Sequence, residues 1–140
     1  MQHYPSPALD LVVLVKGEHL FECLERYAAS VKYPSAWLSG IGAASSATIG
    51  AYDPAIKGYH WETFKEPLEI LSLQGNLSWV DGKPFWHIHG SFAGHNYQSI
   101  GGHIKALEIS VTAELTITPH PTSLTRTFDE ETGIKLLRKQ

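Results

Sequence analysis

The segment from Leu107 to Thr118 reads LEISVTAELTIT and alternates without interruption between apolar and polar side chains. Successive side chains on a β-strand point to opposite faces of the sheet, so a period of two is typical of a strand with one buried face. The segment therefore predicts a long strand whose odd-numbered residues, from Leu107 to Ile117, face the core.

A different period precedes this strand, near the start of the chain. Apolar residues recur at three- and four-residue steps between Leu20 and Val31, with charged residues between them. This spacing predicts an amphipathic helix that ends before Pro34. The run Leu11–Val15 predicts a buried strand before the helix. We therefore expect an α+β fold over residues 1–140, a single domain with a compact, mostly antiparallel sheet and an N-terminal amphipathic helix.

Further strands are predicted between the helix and the long strand. Two strands are predicted, at Ser35–Ser39 and at Ala47–Tyr52. The glycines of Gly40-Ile41-Gly42, between them, indicate closely packed backbone. Leu68–Leu73 is compact and largely apolar, and Asp81-Gly82 is a two-residue signal for a hairpin turn. The tail from residue 119 onward is rich in turn-forming and polar residues.

Composition narrows the classes of function. The chain has 140 residues, 43% of them hydrophobic and 18% charged, which is enough to form a folded core. Its net charge of −3 does not favour direct binding to nucleic acid, because such proteins usually present a basic face. The single cysteine excludes an internal disulfide and a zinc site built from cysteines.

The sequence also carries no sign of a membrane or export segment. No apolar run approaches the roughly 20 residues needed to span a bilayer, and no basic start followed by an apolar run marks a secretory signal. We therefore expect a cytoplasmic protein with no membrane partner.

Histidine is the unusual component, with eight residues in the chain, and four of them lie between positions 87 and 103. On a strand His87 and His89 share one face, while Trp86 and Ile88 take the other. His103 follows two glycines, Gly101 and Gly102, which allow a sharp bend or the close approach of another strand. Three neutral imidazoles with a free fourth position suit Zn²⁺. A hydrogen-bonded histidine cluster without metal is the alternative.

Two carboxylates are candidates for proton transfer beside such an ion. Glu114 lies on the polar face of the long strand, and Glu69 interrupts an apolar strand. Either could act as a general base or orient a histidine. The simpler alternatives are a solvated strand face for Glu114 and a salt bridge for Glu69.

Several of these motifs together resemble the PPC (plants and prokaryotes conserved) domain family. The glycine-rich and histidine-containing pieces keep a common order and approximate spacing over nearly the whole chain. They are Ser39–Ala43, Leu68–Asn76, Asp81–His89, Gly101–His103 and Arg126–Gly133.

The resemblance implies a homotrimer in which His87, His89 and His103 form a zinc site. It also implies a fold similar to that of acetolactate decarboxylase, a zinc enzyme. Plant members of the family grip DNA through a separate AT-hook, whose Arg-Gly-Arg-Pro core is absent from this sequence.

Two functions therefore stay open at this point. One is a trimeric, zinc-binding module that acts through assembly and contacts DNA or a regulatory partner. The other is a zinc-dependent lyase or hydrolase that acts on a small metabolite, so that a small molecule would be the ligand.

Overall fold

The computed structural model describes every residue from Met1 to Gln140 and contains one helix and nine strands. In chain order the elements are β1 (Gln2–Tyr4), β2 (Asp10–Val15), α1 (Leu20–Val31), β3 (Ser35–Asp53), β4 (Gly58–Phe64), β5 (Leu68–Val80), β6 (Lys83–Ala93), β7 (Ser99–His120), β8 (Leu124–Asp129) and β9 (Ile134–Lys139). All strands join one sheet, whose only parallel pairing links β5 and β8. The mostly antiparallel sheet with one helix is thereby confirmed.

The helix spans the residues whose apolar spacing predicted it, but β1 and β2 precede it in the chain. Its description as an N-terminal helix is therefore not confirmed. α1 buries Leu20, Leu24 and Tyr27 in the core. It ends at Lys32, which has a left-handed φ of 54° and donates its backbone N–H to the carbonyl of Ala28. No helix in the structure has the length and hydropathy needed to cross a membrane.

Four strands form a closed ring of antiparallel pairings. β3 pairs with both β5 and β7, and β6 on the opposite side also pairs with β5 and β7. Each of these strands is paired on both sides over part of its length, and the interior of such a small ring is filled by side chains. The side chains buried inside the ring include Leu73 of β5, Ile88 of β6, and Ile104 and Leu115 of β7. Side chains that point outward from the ring are the ones available for binding.

The long strand extends beyond the predicted segment and departs from its alternation at one residue. Val111 was expected in the core, but 67% of its surface is exposed. The register between β3 and β7 jumps there, because Gly42 pairs with Ala113 while Ala44 pairs with Ile109. One residue of β3, Ala43, thus opposes three of β7, residues 110–112, and the resulting bulge turns Val111 outward.

Strand β3 and the C-terminal tail also differ from the sequence prediction. Ser35–Ser39 and Ala47–Tyr52 are parts of one bent strand, with a register shift against β5 between Gly40 and Gly42. The hairpin turn at Asp81-Gly82 is present, and both residues have positive φ. The tail forms the hairpin β8–β9, which the polar composition did not predict.

A buried carboxylate ties the first strands to the helix. Asp10 on β2 is fully buried and accepts hydrogen bonds from the hydroxyls of Tyr27 at 2.6 Å and Tyr33 at 2.9 Å. His3 Nε2 on β1 lies 3.0 Å from the same oxygen. Burial alone would raise the pKa of Asp10, but the hydrogen bonds from Tyr27 and Tyr33 and the adjacent His3 ring outweigh it and lower the pKa. Asp10 is therefore ionised and held by its neighbours.

Replacing Tyr27 by phenylalanine tests this buried cluster. The Tyr27→Phe variant removes one donor from a buried carboxylate, so we expect the free energy of unfolding to fall by about 1–3 kcal/mol. Urea denaturation followed by tryptophan fluorescence measures the difference. Tyr4→Phe is the matched control, because the Tyr4 hydroxyl bonds Gln2 at an exposed position, and we expect it to change stability by less than about 0.5 kcal/mol. Equal effects of the two variants would contradict the role assigned to Tyr27.

Candidate metal centre

Strand β6 presents two histidines on the outer face of the ring. Trp86 and Ile88 are buried, while His87 is half-buried and His89 is exposed, as the alternation predicted. In the register between β6 and β7, His89 lies directly opposite His103. Cross-strand partners lie about 4.5–5.5 Å apart at their Cβ atoms. The third histidine is therefore a lateral neighbour of the second.

The two glycines before His103 do not form a bend in the chain. Gly101 and Gly102 lie inside β7 and pair with Ser91 and Gly90 of β6. A Cβ on Gly101 would lie 2.6 Å from the carbonyl oxygen of Gly90, and one on Gly102 would lie 2.7 Å from that of Gly50. The missing side chains thus let the neighbouring strands approach, which brings His103 beside His89.

The three rings are arranged as ligands of one ion would be. His87 Nε2 and His89 Nε2 are 3.2 Å apart, and one nitrogen from each of His87, His89 and His103 lies within 4.8 Å of the others. Two nitrogens bound tetrahedrally to zinc at about 2.05 Å are about 3.3 Å apart. Nδ1 of His103 is buried and has no hydrogen-bond partner in the protein. The residues therefore fit a divalent metal with nitrogen ligands.

Electrostatics keep two of these rings in the form that binds metal. Burial is the main cause that lowers the pKa of His87 to about 4, and the positive charge of Arg126 adds to it. Burial also lowers the pKa of His103 to about 4, with smaller contributions from His89 and Arg126. Both imidazoles are neutral at pH 7, so a metal ion need not displace their protons.

A cavity of about 560 Å³ opens over the histidine cluster. Six of its twelve lining residues are aromatic or aliphatic, and the other six are polar or charged. Its lining residues are Tyr52, Tyr59, Asn76, Phe85, His87, His89, His103, Arg126, Ile134, Lys135, Leu136 and Leu137. This size and mixture are typical of a small-molecule site.

Two hairpins that are distant in sequence enclose this cavity. The β3–β4 hairpin supplies Tyr52 and Tyr59, and the Tyr59 ring lies 5.0 Å from the His103 ring. The β8–β9 hairpin supplies Arg126 and the segment 134–137. The Tyr52 hydroxyl donates to the carbonyl of Thr132, which joins the two hairpins.

Sequence reasoning did not identify Arg126, Asn76 or Tyr59 as residues of the site. Asn76 pairs with His87 across β5 and β6, and it shares a strand face with Ser78. The hairpin signal at Asp81-Gly82 could have indicated this partner, since it fixes which residues of β5 oppose β6. Arg126 reaches the cavity only through the packing of β8 beside β5, which no local pattern reveals.

The structure places both candidate carboxylates away from the cluster. Glu69 is exposed and pairs with Ala93, which is about 13 Å along β6 from His89. Glu114 is exposed on β7, about 35 Å along that strand from His103. Neither carboxylate lines the cavity. Both lie on the outer face of the sheet, but the strand register places them far from the histidines. Their expected role in proton transfer beside these histidines does not agree with this geometry.

Titration of the metal-free protein tests the environment of the cluster. We expect the ring signals of His87 and His103 to titrate near pH 4 in NMR spectra recorded from about pH 3 to about pH 8. Arg126→Gln should raise both values, because it removes a nearby positive charge. The folded state binds these protons more weakly than the unfolded state, so stability should rise with pH between about 4 and 6.5. Titration of both rings near 6.5 would show that they are solvated.

Comparisons with solved structures extend these observations. A crystal structure of a metal-containing protein from Archaeoglobus fulgidus is 36% identical, with 97% of this chain and 98% of that chain covered and a TM-score of 0.85. A candidate DNA-binding protein from Ralstonia eutropha JMP134 is 33% identical, with coverages of 97% and 94% and a TM-score of 0.90. A plant- and prokaryote-conserved protein from Pyrococcus horikoshii is 25% identical, with coverages of 99% and 94% and a TM-score of 0.87.

A more distant likeness concerns the fold alone. Acetolactate decarboxylase from Bacillus subtilis strain 168 is 14% identical over 79% of this chain and 51% of that chain, with a TM-score of 0.59. The expected similarity in fold to this enzyme is thereby supported, and nothing about substrate follows from it.

The family comparison covers most of the chain. No curated protein matches it. The sequence model of the Plants and Prokaryotes Conserved (PCC) domain, the family that the motifs resemble, matches residues 7–121. This match includes the helix, the closed ring of strands and all three histidines. The chain therefore belongs to the PCC domain family.

Proposed function

We propose that this chain is a metal-binding PCC protein, one domain over residues 1–140, in which His87, His89 and His103 hold Zn²⁺. The convergence of three imidazoles within 4.8 Å carries this proposal. Two of them are neutral at pH 7, as zinc ligands must be. The relative from Archaeoglobus fulgidus, described as metal-containing, supports a metal in this family.

The site would leave one zinc position for a ligand. Structural zinc sites use four protein ligands, whereas sites that bind water or substrate use three. No cysteine, aspartate, glutamate or fourth histidine joins the cluster. The fourth position would face the cavity, so we propose that the bound metal contacts a small molecule there.

A zinc-dependent lyase or hydrolase of a small metabolite is the second candidate function. The cavity beside a three-histidine cluster favours it. Bound zinc would polarise a carbonyl group or activate water. The chain itself would exclude bulk water with its aromatic walls and orient the substrate through Arg126 and Asn76, both of which line the cavity.

We further propose that the chain assembles as a homotrimer. Exposed apolar side chains on three neighbouring strands of the ring support assembly: Ile41 on β3, Leu71 on β5 and Val111 on β7 are each 47–67% exposed. Such side chains on adjacent strands mark a surface suited to contact with another protein. The number of three subunits rests on the family resemblance.

Association with DNA enters the proposal through the relative from Ralstonia eutropha JMP134, which is described as a candidate DNA-binding protein. The net charge of −3 opposes direct contact, since binding to phosphates requires clustered Lys and Arg. The one basic cluster, Lys135, Arg138 and Lys139, lies on the short strand β9. We therefore propose that any DNA association is regulatory and is made through an assembled partner.

Metal analysis of purified variants tests the zinc site. We expect about one zinc per chain in the wild type and less than about 0.1 in His87→Ala and His103→Ala, because two imidazoles hold zinc far more weakly than three. His95→Ala is the matched control, since His95 is an exposed loop residue outside the cluster. Circular dichroism checks that each variant is folded, and light scattering gives the number of chains.

Two outcomes would overturn this proposal. Wild-type protein that holds no zinc after zinc loading would leave the histidines as a hydrogen-bonded cluster. Equal zinc contents in His103→Ala and His95→Ala would place the metal elsewhere in the chain. A scattering mass of one or two chains would reject the homotrimer separately.

DNA binding is tested with the isolated protein and a fluorescent duplex. We expect no change in anisotropy at about 50 mM salt, because the acidic chain offers few phosphate contacts. Binding that is present at about 50 mM and lost at about 200 mM salt would contradict this and assign the DNA contact to this chain.

A further inference from the structure

Arg126 is a fixed cation at the wall of the cavity. Its Nε donates to Ser78 Oγ at 3.1 Å, its Nη2 to Asn76 Oδ1 at 2.9 Å and its Nη1 to the carbonyl of Lys135 at 3.3 Å. The guanidinium also lies over the Phe85 ring, 5.1 Å from its centroid. A guanidinium has five N–H groups, so one N–H on each terminal nitrogen is left for a ligand.

The positive charge of this arginine has no counter-charge within the site. Arg126 forms no salt bridge, and its three hydrogen-bond partners are neutral. No aspartate or glutamate is among the residues that line the cavity. Burial lowers the pKa of Arg126, and its charge lowers the pKa of His87 and of His103. Arg126 therefore acts electrostatically on the same space as the histidine cluster.

Bound metal would increase this imbalance. Three neutral imidazoles leave the two positive charges of Zn²⁺ uncompensated. Arg126 adds a third, and the exposed Lys135, which also lines the cavity, adds a fourth. Buried charge of one sign is unfavourable unless a partner of opposite sign accompanies it. The missing partner in this cavity is an anion.

We propose that the cavity binds a small monocarboxylate with an apolar body, and that Arg126 holds its carboxylate beside the histidine cluster. The proposal rests on the proposed zinc site for two of the four positive charges at the cavity. A planar guanidinium with two free N–H groups matches one carboxylate. The aromatic and aliphatic walls, including Tyr52, Phe85 and Leu136, suit an apolar body. A cavity of about 560 Å³ has room for such a molecule.

The test compares a charged probe with a neutral one of the same shape. Phenylacetate and phenylacetamide are titrated into the zinc-loaded full chain by isothermal titration calorimetry. We expect phenylacetate to bind at least about tenfold more tightly, because only the carboxylate carries the counter-charge. Phenyl phosphate is titrated as well, and tighter binding of that probe would overturn the assignment to a carboxylate.

Variants then identify the residue that recognises the charge. Arg126→Gln should weaken phenylacetate binding at least about tenfold, leave phenylacetamide binding unchanged and keep the zinc content. Arg138→Gln is the matched control, because Arg138 is exposed on β9 and does not line the cavity. We expect wild-type affinities for that variant. Arg126→Lys, which keeps the charge, serves if Arg126→Gln fails to fold, and should still weaken phenylacetate selectively because lysine lacks the fork.

The outcomes separate this inference from the zinc proposal. Equal affinities of phenylacetate and phenylacetamide in zinc-containing wild-type protein would overturn the inference and leave the zinc site standing. The same result is expected if a carboxylate from a second copy of the chain already neutralises Arg126. Protein that holds no zinc but prefers phenylacetate through Arg126 would support the inference and overturn the zinc site.

Discussion

The closed ring of β3, β5, β6 and β7 is the constraint on which the histidine cluster depends. β6 pairs with β5 at both histidines and with β7 from His89 onward, so His89 cannot leave the outer face without breaking the ring, and His87 is held to that face by its pairing with Asn76. A shift of one residue in the β6 register would turn both histidines into the core and Ile88 outward. Glycines allow the close backbone approach that closure requires. A Cβ on Gly75 would lie 2.4 Å from the carbonyl oxygen of His87, for example. Backbone pairing therefore fixes where the three side chains leave the sheet, and the rings of Tyr59 and Trp61 pack beside that of His103.

Local pattern predicted the parts of this arrangement that depend on strand periodicity. The alternation around His87 and His89 indicated the outer face, and the segment from Leu107 to Ile117 indicated the long strand. The prediction that Val111 is buried was wrong. The bulge that exposes this residue arises from the pairing of β7 with β3, which the sequence of β7 alone does not reveal. Glu69 and Glu114 also show that the sequence of one strand is not enough to place a residue beside a site on another strand. Periodicity assigns a residue to a face of the sheet, whereas its distance from another site depends on register across several strands.

The cavity is the feature furthest from sequence prediction, because contacts between distant segments create it. Lys57, in the turn between β3 and β4, donates to the carbonyl of Glu130 in the turn between β8 and β9, and Tyr52 donates to Thr132 nearby. Each of these hairpins alone would be a marginal element in water. Joined to each other and to the outer face of the ring, they enclose the space above the histidines. The polar composition of the tail predicted turns correctly but not their role as a wall of the site.

The distribution of charge distinguishes this site from one that only stabilises the fold. A structural zinc site has a fourth protein ligand. This cluster has none, and no carboxylate lines the cavity although the chain carries more acidic than basic residues overall. The carboxylates are distributed elsewhere, while the one arginine of the cavity is fixed by neutral groups. Such an arrangement leaves the local field positive inside an acidic protein, and that field favours an anionic ligand at the cavity over other parts of the surface. It therefore fits a ligand-binding metal centre better than a purely structural one, whether or not the ligand is then transformed.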